Sequence, residues 1–131
     1  MKIAVIILGH GSRNKNADET VKRVAAEVKK IGGYKIVEHA FLQYVRPTPH
    51  EALEKCVQQQ AKKIVIVPFF IQSGAHVSRD IPELAEKARK QYSNIDIVVT
   101  DCVGTHPLMA KIVTDLIGKA KQSHVRSLRN I

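Results

Sequence analysis

The sequence predicts an α/β domain of the flavodoxin-like, three-layer kind: a four-stranded parallel sheet in the order 2-1-3-4, with helices on both faces. Three observations carry this. Two runs, residues 3–8 and 64–71, are almost entirely β-branched, aliphatic or aromatic and read as strands buried on both faces. Stretches with apolar residues at helical spacing alternate with the strands. The remaining two strands carry charges, Glu38 in one and Asp96 in the other, so they belong at the edges. Right-handed crossovers then give 2-1-3-4. The topological switch point falls between strands 1 and 3, where ligands of open parallel sheets bind.

The first strand stops at Gly9-His10-Gly11-Ser12. The glycines allow a tight turn and leave His10 at the strand's C-terminal end. Asn16 is the expected cap of the first helix, with Glu19 at its third position. Val21, Val24, Ala25, Val28 and Ile31 form its inward stripe, and Gly32-Gly33 ends it. The second strand covers residues 35–43. Thr48-Pro49-His50-Glu51 is a helix start with a capping box and Pro in the first turn. Ala52, Leu53, Cys56 and Val57 face inward.

Pro68 conflicts with a central strand through residues 64–71, so a bulge or strand end is expected there. The run leads into Gln72-Ser73-Gly74-Ala75-His76, a second strand-end histidine. Ser78 is the expected cap of the third helix, with Pro82 in its first turn. Ile81, Leu84, Ala85, Ala88 and Tyr92 mark the buried face. A fourth strand covers residues 95–100. Gly104-Thr105-His106-Pro107 opens a last helix with Met109, Ile112, Val113, Leu116, Ile117 and Ala120 inward. Residues 1–120 are read as one domain and residues 121–131 as a basic tail.

The chain has 131 residues, enough for one domain with a real core. No apolar run approaches the roughly 20 residues of a membrane span, and no secretory signal is visible. Two cysteines, Cys56 and Cys102, make neither a disulfide framework nor a zinc site. The expected location is the cytoplasm. The net charge of +9 suits a polyanionic partner. Aromatic residues make up only 5%, and no base-reading motif is present, which argues against nucleic acid.

Two neutral imidazoles at one crevice can bind a divalent transition metal and accept protons. A structural metal site would supply four ligands. Two histidines suit a metal held in transit. The other histidines fit other places: His39 on an edge strand, His50 in a helix's first turn, His106 as a cap or rim residue, His124 in the tail. Arg13, Arg46 and Arg79 are best placed in sequence to hold carboxylates near the crevice.

These residues resemble a known family. The stretches Leu8-Gly-His-Gly-Ser-Arg13, Phe41-Leu-Gln-Tyr-Val-Arg-Pro47, Val67-Pro-Phe-Phe70 and Ser73-Gly-Ala-His-Val-Ser-Arg-Asp-Ile-Pro82 are similar to the small, single-domain CbiX-type class II chelatases. These enzymes insert a metal into sirohydrochlorin. The resemblance implies His10 and His76 as the catalytic and metal-binding pair. It implies Ser12, Arg13, Gln43, Arg46, Ser73, Gly74, Ala75 and Arg79 as residues that meet the substrate. It also implies a homodimer that mimics the two-domain long forms, and no permanently bound cofactor. The metal is a substrate, with cobalt, for cobalamin-type cofactor biosynthesis, expected ahead of nickel and iron. One position departs from the pattern. Many relatives end the second strand in Phe-Leu-Glu, and Gln43 stands here, which can hydrogen-bond but cannot take a proton.

Three rivals are weaker. Histidine phosphatases need an Arg before the His of their signature, and Gly9 stands there. A non-catalytic metal or tetrapyrrole carrier would bind without turnover. A nucleic-acid module would need residues to read bases.

Overall fold

The computed structural model describes residues 2–72 and 74–122, with the side chains at positions 15, 17 and 76 outside that description. The elements are β1 (Ile3–Gly9), α1 (Lys15–Gly32), β2 (Ile36–Phe41), α2 (Pro49–Gln58), β3 (Lys63–Pro68), α3 (Ala75–Gln91), β4 (Asp96–Val99) and α4 (Met109–Lys121). A single 3-10 turn, Val103–Thr105, precedes α4. The four strands are parallel in the order β2-β1-β3-β4. This is the predicted order. Ser73 and most of the expected tail, with His124, lie outside the described residues. Among the described residues no helix is long and apolar enough to cross a membrane.

Alternation along β1 sorts the core into two layers. Ala4, Ile6 and Leu8 point to one face, with Ile64 and Ile66 of β3, and are covered by Leu53 and Cys56 of α2 and Ile81 and Ala88 of α3. Val5 and Ile7 point to the other face, where Val21 and Ala25 of α1 and Phe41 cover them. Arg89 ties the end of α3 to the sheet by donating from Nε to the Ile97 carbonyl at 3.0 Å. Burial pushes the Cys56 thiol up to about 12, with Glu38 adding to the effect.

The α2 start is as read. Thr48 accepts from the Glu51 N–H, Glu51 accepts from the Thr48 N–H, and Pro49 occupies the first turn. Gly33 closes α1 in the left-handed region, φ 69°. β3 ends at Pro68, and Phe69 extends the ladder by one bond, its N–H donating to the Leu8 carbonyl at 2.8 Å.

Four expectations need correction. The cap of α1 is Asn14, not Asn16. The Asn14 side chain accepts from the Asn16 N–H at 3.1 Å, so the earlier asparagine takes the capping role. Ile31 is 82% exposed, because it lies in the final turn just before Gly33 redirects the chain. α3 begins at Ala75 with Gly74 as its cap, so Ser78 lies inside the helix and donates its N–H to the Gly74 carbonyl at 3.0 Å. Pro82 is therefore interior to the helix, on its exposed side beside buried Ile81. The largest difference is α4. It has the expected apolar periodicity, yet no residue in it is buried. Leu108, Ile112, Val113, Leu116 and Ile117 are all about half exposed or more.

Candidate functional site

The site is built where β1, β2 and β3 end. Hydrogen bonds continue past the regular ladder there. The Leu42 N–H donates to the Gly9 carbonyl at 3.0 Å, and the Gln43 N–H donates to the His10 carbonyl at 3.2 Å. Together with the Phe69–Leu8 bond, these fix three strand ends against one another. His10 is exposed, and its ring packs on Phe70 with centroids 5.0 Å apart, tilted 57°. Phe70 itself is buried and so holds one face of the imidazole in place.

Gly11 is required here. Its φ is +90°, and a Cβ at this position would overlap the Gln43 carbonyl. The loop after β1 thus presses directly on the end of β2. Ser12 Oγ accepts from the Asn14 N–H at 3.0 Å, leading the chain into α1. Arg13 stacks over Tyr44, its guanidinium carbon 4.8 Å from the ring centroid. Stacking orients a guanidinium while leaving its in-plane N–H groups for carboxylate acceptors. Tyr44 makes this platform from a left-handed conformation, φ 68°. Nothing in the sequence marks a tyrosine for that role. Phe70 stood in the sequence within an apolar run and in the Val67-Pro-Phe-Phe70 stretch, neither of which marks it as the support of His10.

Arg46 reaches this edge already ion-paired with Glu51. The hydrogen bonds from Arg46 and Thr48 hold the Glu51 carboxyl down at about 2, and the same pairing raises the Arg46 guanidinium. The carboxylate that closes the α2 capping box therefore also anchors Arg46. Gln43 is exposed, and its backbone is pinned to His10 and packed on Gly11. His39 sits away from this edge on β2. Burial lowers its pKa, and Lys22 adds to the effect.

On the β3 side, Gly74 caps α3 and Ala75 opens it, both exposed, with Arg79 exposed in its second turn. His76 is placed in the first turn of α3 rather than in a loop before a helix at Ser78. His10 thus follows β1, and His76 lies in the helix that follows the adjacent strand β3. Among the described residues no group of three or more His, Cys, Asp or Glu is placed to hold a metal ion. A groove of about 360 Å³ lies between α2 and α3, lined by His50, Leu53 and Leu84 among others.

Gly104 is a further residue the sequence did not mark for its true role. Its N–H donates to the Phe70 carbonyl at 2.9 Å, and a Cβ would overlap the Ile71 carbonyl. The connection after β4 is thereby packed onto the connection after β3, immediately behind the phenylalanine that supports His10.

Comparison with known proteins places this architecture. The model of the CbiX family matches residues 4–120. The chain is 37% identical over 113 residues to the chloroplastic sirohydrochlorin ferrochelatase of Arabidopsis thaliana, covering 86% of this chain and 50% of that protein. It is 31% identical over 138 residues to the sirohydrochlorin cobaltochelatase of Methanopyrus kandleri, covering 90% of this chain and 96% of that protein. The crystal structure of the sirohydrochlorin chelatase SirB from Bacillus subtilis subspecies spizizenii, in complex with cobalt, superposes with a TM-score of 0.82 at 31% identity. That match covers 91% of this chain and 51% of the SirB chain. The chain thus spans about half the length of the plant and Bacillus relatives and nearly all of the archaeal one.

Proposed function

This chain belongs to the CbiX family, and on that premise we propose that it is a sirohydrochlorin chelatase, inserting a divalent metal into the tetrapyrrole ring. The observation that supports the reading is that the family match, over residues 4–120, takes in both His10, just after β1, and His76, in the first turn of the helix that follows the adjacent strand β3. His10 and His76 receive the metal through neutral ring nitrogens. The ring binds against it, and as the metal passes from the imidazoles to the ring two pyrrole N–H protons leave, one to an imidazole nitrogen that the metal has vacated and the other to water. Arg13, Arg46 and Arg79, with Ser12, Gln43, Ser73, Gly74 and Ala75, meet the polycarboxylate substrate, which the net charge of +9 attracts. Arg46 exchanges Glu51 for a substrate carboxylate or holds its position beside one.

Cobalt is the proposed metal, with support from the archaeal cobaltochelatase that this chain matches almost end to end. Iron, named for the plant relative, and nickel are the alternatives. The product serves cobalamin-type cofactor biosynthesis. The protein works without a resident cofactor, in the cytoplasm, in keeping with two free thiols. It acts as a homodimer, each copy standing for one half of the longer relatives.

The test is anaerobic metal insertion into sirohydrochlorin with Co(II), Ni(II) or Fe(II), followed by the absorbance of the ring. Multiple turnovers that disappear in both His10→Ala and His76→Ala are expected, and the fastest metal ranks the three. A wild-type rate no better than the uncatalysed one, rising only in Gln43→Glu, would instead make the protein a binder.

A further inference from the structure

Tyr44 is bent against its own preferences. Its φ is +68°, a region that a bulky L side chain rarely enters. The Val45 N–H donates back to the Gln43 carbonyl at 2.8 Å, which closes a three-residue turn with Tyr44 at its centre. A turn of this size with a positive φ at its centre is the rare and strained form. Such strain persists only where the surroundings over-determine it. Two contacts from the loop after β1 do so here. The Gln43 N–H donates to the His10 carbonyl at 3.2 Å, and Gly11 lies so close to the Gln43 carbonyl that no Cβ would fit. The strained turn is thereby locked to the loop that carries Arg13.

Glycine would adopt this turn without strain. The tyrosine ring adds nothing to the core that would offset it. Tyr44 is 60% exposed and belongs to neither core layer. Among the described residues its hydroxyl has no hydrogen-bond partner. What the ring does touch is the Arg13 guanidinium.

The arginines on the two sides of this turn are held differently. Glu51 orients Arg46 and cancels its charge. The Tyr44 ring orients Arg13 and leaves its charge whole, because a ring face carries no net charge. Among the described residues Arg13 is in no ion pair. Arg13 is thus a cation that is oriented in advance and still uncompensated, on the loop that follows His10.

We propose that Tyr44 is a positioning residue for sirohydrochlorin: through its stack it holds Arg13 ready for a carboxylate on the rim of the ring, and so sets how tightly the ring binds before the metal enters. The inference deepens the reading above and rests on it. Tyr44 acts through Arg13 and meets no reacting atom, so it governs affinity for the ring and leaves the metal-transfer step alone. The side chain that strains the turn is the one that strengthens substrate binding.

Tyr44→Gly separates the two, since it relieves the strain and removes the ring. The full chain is used. Urea unfolding reads stability, equilibrium dialysis of metal-free sirohydrochlorin reads Kd, and anaerobic insertion reads KM and kcat. Tyr44→Gly should leave the urea midpoint equal to wild type or above it. It should raise Kd about 2- to 10-fold, the cost of ordering one long side chain on binding. KM should rise with Kd while kcat stays unchanged. Tyr44→Asn also tolerates the left-handed conformation and should match the glycine. Tyr44→Phe keeps the ring face and should bind as wild type. In an Arg13→Gln background, Tyr44→Gly should make no further difference. A lowered midpoint in both Tyr44→Gly and Tyr44→Asn, an unchanged Kd, or an equal loss with and without Arg13 would overturn the proposal and leave the chelatase reading standing. A wild type that does not bind the ring would overturn both.

Discussion

Helices α3 and α4 begin alike and end differently. Each follows a strand and a glycine-bearing connection, and each carries apolar residues three and four apart. α3 presses Val77, Ile81, Ala85 and Ala88 onto the sheet, all buried. α4 buries nothing. The contrast teaches that helical periodicity reports a face in need of cover, without saying which body supplies it. It also shows why α3 tolerates Pro82. Most helical stability comes from packing an apolar face, and α3 has that packing even where a backbone donor is missing.

The comparison can be broken most directly by matched truncations. In the Leu116→Glu background, Ile81→Ala should lower the urea-derived stability by about 2–5 kcal/mol, the range for a buried aliphatic side chain. In the same background Ile117→Ala should move it by no more than ~0.5 kcal/mol, as for an exposed position. Equal losses would mean that α4 packs on its own domain. A smaller effect, of opposite sign, sharpens the same point. Pro82→Ala restores a helical donor in α3 and should raise the urea midpoint, by up to ~3 kcal/mol in stability. Gly118 lies mid-helix in α4, and a Cβ there meets nothing within 4 Å. Gly118→Ala should therefore gain only about 0.5–1 kcal/mol, read by thermal melting.

The least of the expected effects is a pH dependence from outside both helices. Burial, then Lys22, lowers the His39 pKa from 6.5, so the unfolded chain takes the proton first as pH falls. The contribution of this group is complete above about pH 6.5 and is lost below it. Urea titrations of wild type and His39→Gln should diverge between pH 7 and 5, with the wild type losing more. Parallel curves would remove His39 from the account.

Much of the fold was legible because several local signals agreed. Charge in strands two and four, and its lack in one and three, was enough for the strand order. Thr48-Pro49-x-Glu51 placed a helix start to the residue, since cap, box and proline all require the same geometry. The start of α3 was misplaced because Ser78 is a better cap by residue type than Gly74. The chain instead turns where glycine's extended backbone, φ −71° and ψ 170°, precedes the helix. At the site, His10 and the strand end were readable from a run of apolar residues meeting Gly-His-Gly. The supports were not. Phe70 beneath His10, Tyr44 beneath Arg13 and Gly104 behind Phe70 act through contacts between residues distant in sequence. Arg46 was expected to hold substrate carboxylates, and its pairing with Glu51 depends on a turn that only the folded chain makes.

Gly11 and Gly104 have no functional group, yet each is wedged against a carbonyl that leaves room for a hydrogen atom and nothing larger. In a library holding every single substitution, selected for the proposed activity, both positions should be as empty as those of His10 and His76, the histidines proposed to carry it. Selection for folded protein alone would separate the two classes, depleting the glycines and sparing the histidines. A survey of variants in this chain that scored only activity would therefore count the spacing between two loops as though it were chemistry.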